Sequence, residues 1–145
     1  MKFRFETVLK INKDRENLIK KELGRINTHL QSQNERLQFM ESIALERKKE
    51  LNDKIMQNPV NVDLLVIYNN FFAGVRLEKE RQEQVIAQVA ERLDLKKKDL
   101  TQAMMKRRTM EILKERDMTA FKKTQNKREV QLLDETGSNQ WRLNS

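Results

Sequence analysis

Apolar side chains recur at alternating steps of four and three residues along most of the chain. Such a narrow stripe is typical of the seam of a two-stranded coiled coil, in which each helix buries one line of side chains against one partner. In the first arm the stripe has ten positions, eight of them apolar: Ile19, Leu23, Ile26, Leu30, Gln33, Leu37, Met40, Ala44, Arg47 and Leu51. Its polar positions, Gln33 and Arg47, help to fix register.

A second arm repeats the same step over thirteen positions, nine of them apolar or aromatic. They are Tyr68, Phe72, Val75, Lys79, Gln82, Ile86, Val89, Leu93, Lys96, Leu100, Ala103, Arg107 and Met110. We expect the Lys79, Lys96 and Arg107 head groups to reach out of the seam to water. The register is predicted to shift near Leu113. Upstream of the first stripe, the apolar residues keep helical spacing in a different register: Phe5, Val8, Leu9, Ile11 and Leu18.

Between the arms lies the only proline of the chain, Pro59. Proline disfavours the helical conformation at Asn58 and lacks the N–H that continues a helix. Asn61 or Asp63 then suits the cap of a second helix. The sequence therefore predicts a bend at 58–62.

The predicted fold class is all-α: one coiled-coil domain over residues 1–145, built as an antiparallel helical hairpin. Helix 1 is expected over about residues 4–57 and helix 2 over about 63–136, with position i facing position 120 − i. Gly137 suits a helix stop, which leaves a flexible tail at 137–145. From Asp117 onward, the second helix is predicted to have no partner within the chain.

Composition narrows the function classes. With 37% hydrophobic and 36% charged residues and only three glycines, the chain fits exposed helices better than a compact globule or a disordered segment. It has no cysteine and one histidine, His29, and it contains no recognisable catalytic or phosphate-binding motif. We therefore expect no enzyme activity, no cofactor and no metal site. The absence of a signal peptide or a membrane-length apolar run predicts a cytoplasmic protein without direct membrane insertion.

The net charge of +8 is concentrated in residues 96–128, which carry twelve basic and four acidic side chains. A basic helix of this kind is compatible with a solvated face, with docking to an acidic protein surface, or with binding to nucleic acid or lipid. Nucleic-acid binding is disfavoured because the stretch has one aromatic residue, Phe121, and no reading motif. An acidic protein partner and a solvated face both stay open.

The run YNNFFAGV at 68–75 places aromatic residues just after the bend. If Phe72 fills the seam, then Phe71 beside Tyr68 is free to anchor a partner. Alternatively, both phenylalanines wrap the first arm near Ala44, Leu45 and Leu51. The sequence leaves both arrangements open.

Three stretches together resemble the FliJ family of the bacterial flagellar type III export apparatus. They are the opening FRFETVLKINKDRENLIKKEL, the segment VDLLVIYNNFFAGV with its Tyr-x-x-Phe at Tyr68–Phe71, and the closing LKERDMTAFKKTQNKREVQLLDETG with its Asp134–Glu135 pair. The resemblance spans nearly the whole chain.

The resemblance implies a non-enzymatic coiled coil similar to the central stalk of rotary ATPases. Its partners would be the hexameric export ATPase, the cytoplasmic domain of the export gate and, in an escort role, export chaperones, at the cytoplasmic face of the inner membrane. On this basis, the candidate ATPase-binding residues are Phe3, Phe5, Phe121, Lys122, Lys123, Lys127, Arg128, Leu132, Leu133 and Asp134. The candidate gate-binding residues are Tyr68, Phe71 and Val75.

Three other functions stay open at this point. A virulence type III secretion system contains an equivalent stalk. A basic helical hairpin that binds nucleic acid through residues 96–128 belongs to a different class, and so does a free-standing coiled coil that dimerises through its seams.

Overall fold

The computed structural model describes residues 3–57 and 61–144, and these form two helices. Helix α1 spans Glu6–Gln57 and helix α2 spans Val62–Asn144, with no strand in the described residues. The helices pack against each other, which confirms the predicted all-α helical hairpin. Contacts divide the chain into two units. We call residues 19–99 the bend unit, and residues 1–18 with 100–145 the terminal unit.

The helix starts follow from local hydrogen bonds. At α1 the Glu6 N–H donates to the Phe3 carbonyl over 3.2 Å, and the Leu9 N–H donates to the Phe5 carbonyl. At α2 the side-chain oxygen of Asn61 accepts a 3.0 Å bond from the Asp63 N–H. Asn61 is therefore the N-cap of α2, one of the two capping residues predicted. The kink expected at Asn58–Pro59 lies outside the described residues.

The end of α2 differs from the predicted one. The helix continues through Gly137 to Asn144, which corrects the helix end near 136 and the flexible tail from 137. A glycine stops a helix by adopting a positive φ, and no described glycine has one. Gly137 is instead an interior helical residue, tolerated at a cost of about 1 kcal/mol relative to alanine.

In the bend unit the two helices meet along the predicted stripes. All seam positions of α2 from Tyr68 to Lys96 are buried or half-buried, and those of α1 from Ile19 to Leu51 are half-buried except for Arg47. The Lys79–Glu41 ion pair, 3.3 Å, joins the helices at the predicted register of i with 120 − i. Gln82 is 5% exposed. Its amide donates 2.9 Å bonds to both the carbonyl and the side-chain oxygen of Gln33.

In the terminal unit, polar residues occupy several seam positions, which hid the register in the sequence. Leu9 and Glu16 are 2% and 3% exposed, so on α1 the inward line runs through them and not through the apolar residues beside them. On α2 the four–three step passes through the half-buried Lys114 and Asp117. Lys114 pairs with Glu6 at 3.0 Å. The register shift predicted near Leu113 therefore does not occur.

Cations of the α2 seam also differ from prediction. Lys79, Lys96 and Arg107 were expected to extend to water, yet each pairs with a carboxylate of α1. Lys96 reaches Glu22 at 2.6 Å, and Arg107 contacts the buried Glu16. In these pairs α2 supplies the cation and α1 the anion, so the charges favour this antiparallel alignment over pairing of like helices.

Candidate protein-binding surfaces

The last part of α2 has no partner helix among the described residues. Every residue from 118 to 143 is exposed, and we call this stretch the distal segment. Its large apolar side chains are exposed too: Met118 45%, Phe121 40%, Val130 55%, Leu132 62%, Leu133 72%, Trp141 74% and Leu143 86%. Most of the stability of a helix in a protein comes from packing of its apolar face against a partner. The distal segment is therefore a strong candidate for a protein-binding surface.

The apolar residues of the distal segment lie on more than one side of the helix. Phe121, Leu132 and Leu143 follow one another at intervals of 11 residues, which is close to three whole turns, so they share one face. At about 100° per residue, Val130 and Trp141 lie on roughly the opposite face. Such a helix suits a partner that contacts it from several sides, such as a cleft or a channel.

Basic side chains lie between Phe121 and Val130. Lys122, Lys123, Lys127 and Arg128 are all exposed and lie within two turns of α2. Because the four cations are close together, their field attracts an acidic surface. The distal segment thus combines a basic patch with apolar side chains.

Upstream of the distal segment, the terminal unit contains a group of charged residues around Arg107. The guanidinium donates to Glu16 and, over 2.9 Å, to Glu111. The hydrogen bond with Glu111, followed by that with Glu16, raises the pKa of Arg107 above its ordinary value. Conversely, the bond from Arg107 lowers the pKa of the Glu111 carboxyl. Both groups are therefore charged at neutral pH.

The bend unit carries an open apolar groove of about 500 Å³ between α1 and α2. Its lining residues come from both helices: Met40, Ile43, Asn70, Phe71, Gly74, Val75, Leu77 and Glu78. A side chain added at Gly74 would meet nothing within 4 Å. The missing side chain of Gly74 therefore leaves this part of the groove open.

Tyr68 lies inside the bend unit. Its ring is 8% exposed, and Lys54 donates a 3.2 Å hydrogen bond to its hydroxyl. The Lys54 ammonium also lies 5.5 Å from the ring centroid. This hydrogen bond raises the pKa of Lys54. Tyr68 is thus a packed residue. Phe71, three residues further along α2, is more exposed than Tyr68.

The described residues give no support for a metal site or a membrane-spanning helix. In residues 3–57 and 61–144, no group of three His, Cys, Asp or Glu side chains is placed to hold a metal ion. Within the same ranges, neither helix has a stretch long and apolar enough to cross a membrane.

A family model described as Flagellar FliJ protein matches residues 1–145, the full length of the chain. The chain belongs to the FliJ family. It is accordingly a component of the flagellar export apparatus, in a family of structural and export proteins rather than known enzymes. No curated protein and no solved structure gives a significant match.

The ATPase-binding residues inferred from the FliJ resemblance all belong to the terminal unit. Phe5 is 40% exposed, whereas Phe3 is 6% exposed and packs edge-on against the Phe5 ring at 5.9 Å. Phe3 therefore holds Phe5 in place and offers no ring to a partner. The other candidates are exposed along the distal segment: Phe121, Lys122, Lys123, Lys127, Arg128, Leu132, Leu133 and Asp134.

The gate-binding candidates of the FliJ resemblance all belong to the bend unit. Phe71 and Val75 are half-buried and line the apolar groove, whereas Tyr68 is buried. The structure lies between the two predicted arrangements of the phenylalanines. Phe71 and Phe72 are both half-buried, and their rings pack edge-on with centroids 5.6 Å apart.

Several residues of these surfaces were not identified from the sequence. Met40, Ile43 and Gly74 complete the groove, but only the pairing of α1 with α2 brings them together. Leu143 and Trp141 fall in the predicted tail, because glycine at 137 is typical of a helix stop. The 11-residue interval from Phe121 through Leu132 to Leu143 was the available signal.

Proposed function

We propose that this FliJ-family chain is a non-enzymatic stalk of the flagellar export ATPase, located at the cytoplasmic face of the inner membrane through the export apparatus. The terminal unit engages the hexameric ATPase ring, and the bend unit engages the cytoplasmic domain of the export gate. An escort role for export chaperones belongs to the same proposal.

The observation that carries the proposal is the exposure of the distal segment of α2. It presents apolar side chains on opposite faces of one helix, next to four exposed cations. A ring with an acidic, partly apolar pore would contact such a helix from all sides, which would bury Leu132 and Trp141 together. A flat partner would reach only one of these residues.

The first test is ATP hydrolysis by the cognate export ATPase with and without this protein, at low and moderate salt. We expect stimulation together with ring assembly. Replacing Lys122, Lys123, Lys127 and Arg128 with glutamine should abolish it. A matched control removes three lysines and one arginine from exposed positions of the bend unit: Lys21, Arg25, Lys48 and Lys49.

The control variant should stimulate like the unmodified protein, because it changes net charge equally and leaves the distal segment intact. Equal loss in both variants would mean that net charge alone drives the effect, which contradicts a specific site. Leu132→Asp with Leu133→Asp should also weaken ATPase binding and leave the paired helices folded. A loss of helicity throughout the chain, measured by circular dichroism, would contradict the assignment of these residues to an unpaired segment.

The gate-binding part of the proposal is tested at Gly74. Leucine at this position fills the groove beside Phe71 and Val75, and there is open space for it. We expect Gly74→Leu to weaken binding of the gate's cytoplasmic domain by tenfold or more, equivalent to about 1.4 kcal/mol. Gly24→Leu is the control, since Gly24 is also a helical residue with nothing within 4 Å and lies outside the groove. Equal affinities of the two variants would remove the groove from the proposal.

The same experiments separate the alternatives. The flagellar family match favours the flagellar apparatus over the equivalent stalk of a virulence secretion system. Binding of random DNA or RNA with a steep salt dependence, together with no effect on the ATPase, would instead favour the nucleic-acid-binding hairpin.

A further inference from the structure

The first turns of α1 carry an apolar stripe that faces away from the seam. Val8, Ile11 and Leu18 are 43%, 59% and 57% exposed. With Arg15, these residues follow steps of three, four and three, so at about 100° per residue they fall within a narrow face of the helix. We call Val8, Ile11, Arg15 and Leu18 the outer stripe.

The outer stripe is separate from the pairing of α1 with α2. Leu9 and Glu16, 2% and 3% exposed, face the seam and lie roughly 130° around the helix from the stripe. A single exposed aliphatic residue on a surface is ordinary. Three aliphatic residues at coiled-coil spacing on one face form a second seam. Helix propensity does not explain their presence, because β-branched valine and isoleucine are not strong helix formers.

Arg15 determines which partner this seam fits. It is exposed, and no ion pair of Arg15 occurs within residues 3–57 and 61–144. It occupies a seam position between Ile11 and Leu18, so a docked helix would cover part of its guanidinium. A cation partly removed from water requires a carboxylate opposite it.

We infer that the outer stripe docks an amphipathic helix of another protein, with apolar residues at seam spacing and an aspartate or glutamate opposite Arg15. A second copy of this chain does not fit. In an antiparallel self-pair, Val8 would face Leu18 and Arg15 would face Ile11, which brings no carboxylate to the arginine. In a parallel self-pair, Arg15 would face Arg15. The stripe lies outside the ATPase-binding and gate-binding residues, so the inference does not rest on the proposed function.

The test uses two synthetic helical peptides with the same apolar stripe. One has glutamate and the other lysine at the position that faces Arg15, and binding to the full-length protein is followed by fluorescence anisotropy. We expect the glutamate peptide to bind at least tenfold more tightly. Arg15→Glu should reverse this preference, and Ile11→Gln with Leu18→Gln should weaken the glutamate peptide about tenfold or more.

A matched control places two glutamines elsewhere on exposed apolar positions. Leu45→Gln with Leu95→Gln changes residues that are 56% and 54% exposed in the bend unit, and should leave peptide binding unchanged. Circular dichroism establishes that each variant retains its helicity.

Three results would overturn the inference. One is equal affinity for the glutamate and lysine peptides, and another is an unchanged preference in Arg15→Glu. The third is a dimer in sedimentation equilibrium that dissociates in Leu18→Gln, which would make a second copy the occupant of the stripe.

Discussion

The bend unit and the terminal unit close the same kind of helix pair with different chemistry. In the bend unit, the buried side chains include Tyr68, Val89 and Leu93, and the buried polar layer is the neutral Gln82–Gln33 pair. The two ion pairs between the helices of this unit have carboxylates, Glu41 and Glu22, that are 49% and 37% exposed. In the terminal unit, Leu9 and Ala103 are buried, but the seam also holds charged pairs such as Arg107 with Glu16. Both units have ion pairs between the helices, but only in the terminal unit is a charged partner, Glu16, buried in the seam.

This difference affects both stability and function. Apolar burial stabilises a fold over a wide range of pH and salt, whereas an ion pair gains little net free energy because its partners lose hydration. Charged pairs instead discriminate between registers and partners. We therefore expect the bend unit to provide most of the stability. In the terminal unit, the pairing register should depend on pH and salt, and this unit also carries the surface proposed to bind the ATPase.

The largest expected difference is in the free energy of unfolding lost when either of two leucines of α2 is replaced. Leu93 is 8% exposed in the bend unit, and Leu133 is 72% exposed in the distal segment. Leu93→Ala should lower the free energy of unfolding by about 2–3 kcal/mol because it opens the seam. Leu133→Ala should change it by at most about 0.5 kcal/mol. Urea unfolding followed by circular dichroism measures both, and similar losses would show that the distal segment packs against something within the protein.

A smaller difference, in the rate of hydrogen exchange, is expected between variants of two neighbouring arginines of the terminal unit. Arg107→Met removes the cation that faces the buried Glu16, whereas Arg108 is 59% exposed and contacts Glu111 only at 3.5 Å. Hydrogen exchange of residues 6–18 should therefore accelerate in Arg107→Met and change little in Arg108→Met.

A second variant separates charge from packing in this prediction. Adding Glu16→Met to Arg107→Met should restore much of the protection, because an apolar pair of similar size replaces a buried carboxylate that has lost its contact with Arg107. Continued fast exchange in the double variant would mean that Arg107 acts through its packing alone.

Acid should loosen the terminal unit first. Arg107 lowers the pKa of Glu111 relative to its ordinary value of 4.5. The folded state therefore favours the ionised carboxylate, and its contribution is present above pH 4.5 and lost as the pH falls through the lowered pKa. The bend unit has a similar carboxyl, since Arg47 lowers the pKa of Glu50. Its helices are also joined by an apolar seam and the Gln82–Gln33 pair, however, and these do not titrate.

The absence of cysteine makes this prediction easy to test with single spin labels. Labels at Thr7→Cys and Ser32→Cys report on α1 in the terminal and bend units. During titration from pH 7 to 3, the Thr7 label should become mobile at the higher pH. Simultaneous release of both labels would show that the two units unfold as one.

The sequence predicts the fold well where apolar periodicity defines it. All thirteen predicted seam positions of α2 are buried or half-buried, because a stripe of that length has one favourable pairing. The prediction fails at Glu16 and Lys114, where charged residues occupy the seam. Periodicity in hydrophobicity cannot detect a seam position whose burial depends on an ion pair with a residue about a hundred positions away.

The candidate surfaces are harder to predict for a related reason. Phe121 and Leu132 are visible in the sequence as apolar residues beyond the reach of α1. Whether Tyr68 or Phe71 is accessible depends on side-chain packing between the helices, which spacing alone does not determine. The groove at Gly74 arises because glycine has no side chain, and it forms only when α1 and α2 are paired.

The smallest expected effects come from glycines in the two units. Gly137 and Gly24 are helical, and a methyl group at either position meets nothing within 4 Å. Alanine should therefore favour the helix by about 1 kcal/mol at each. Gly24→Ala should raise the urea midpoint of the main unfolding transition, because Gly24 belongs to the bend unit. Gly137→Ala should leave that midpoint unchanged and increase the helical circular dichroism signal at low urea, because the distal segment gains helix by itself. A rise in midpoint for Gly137→Ala would show that the distal segment unfolds together with the paired helices.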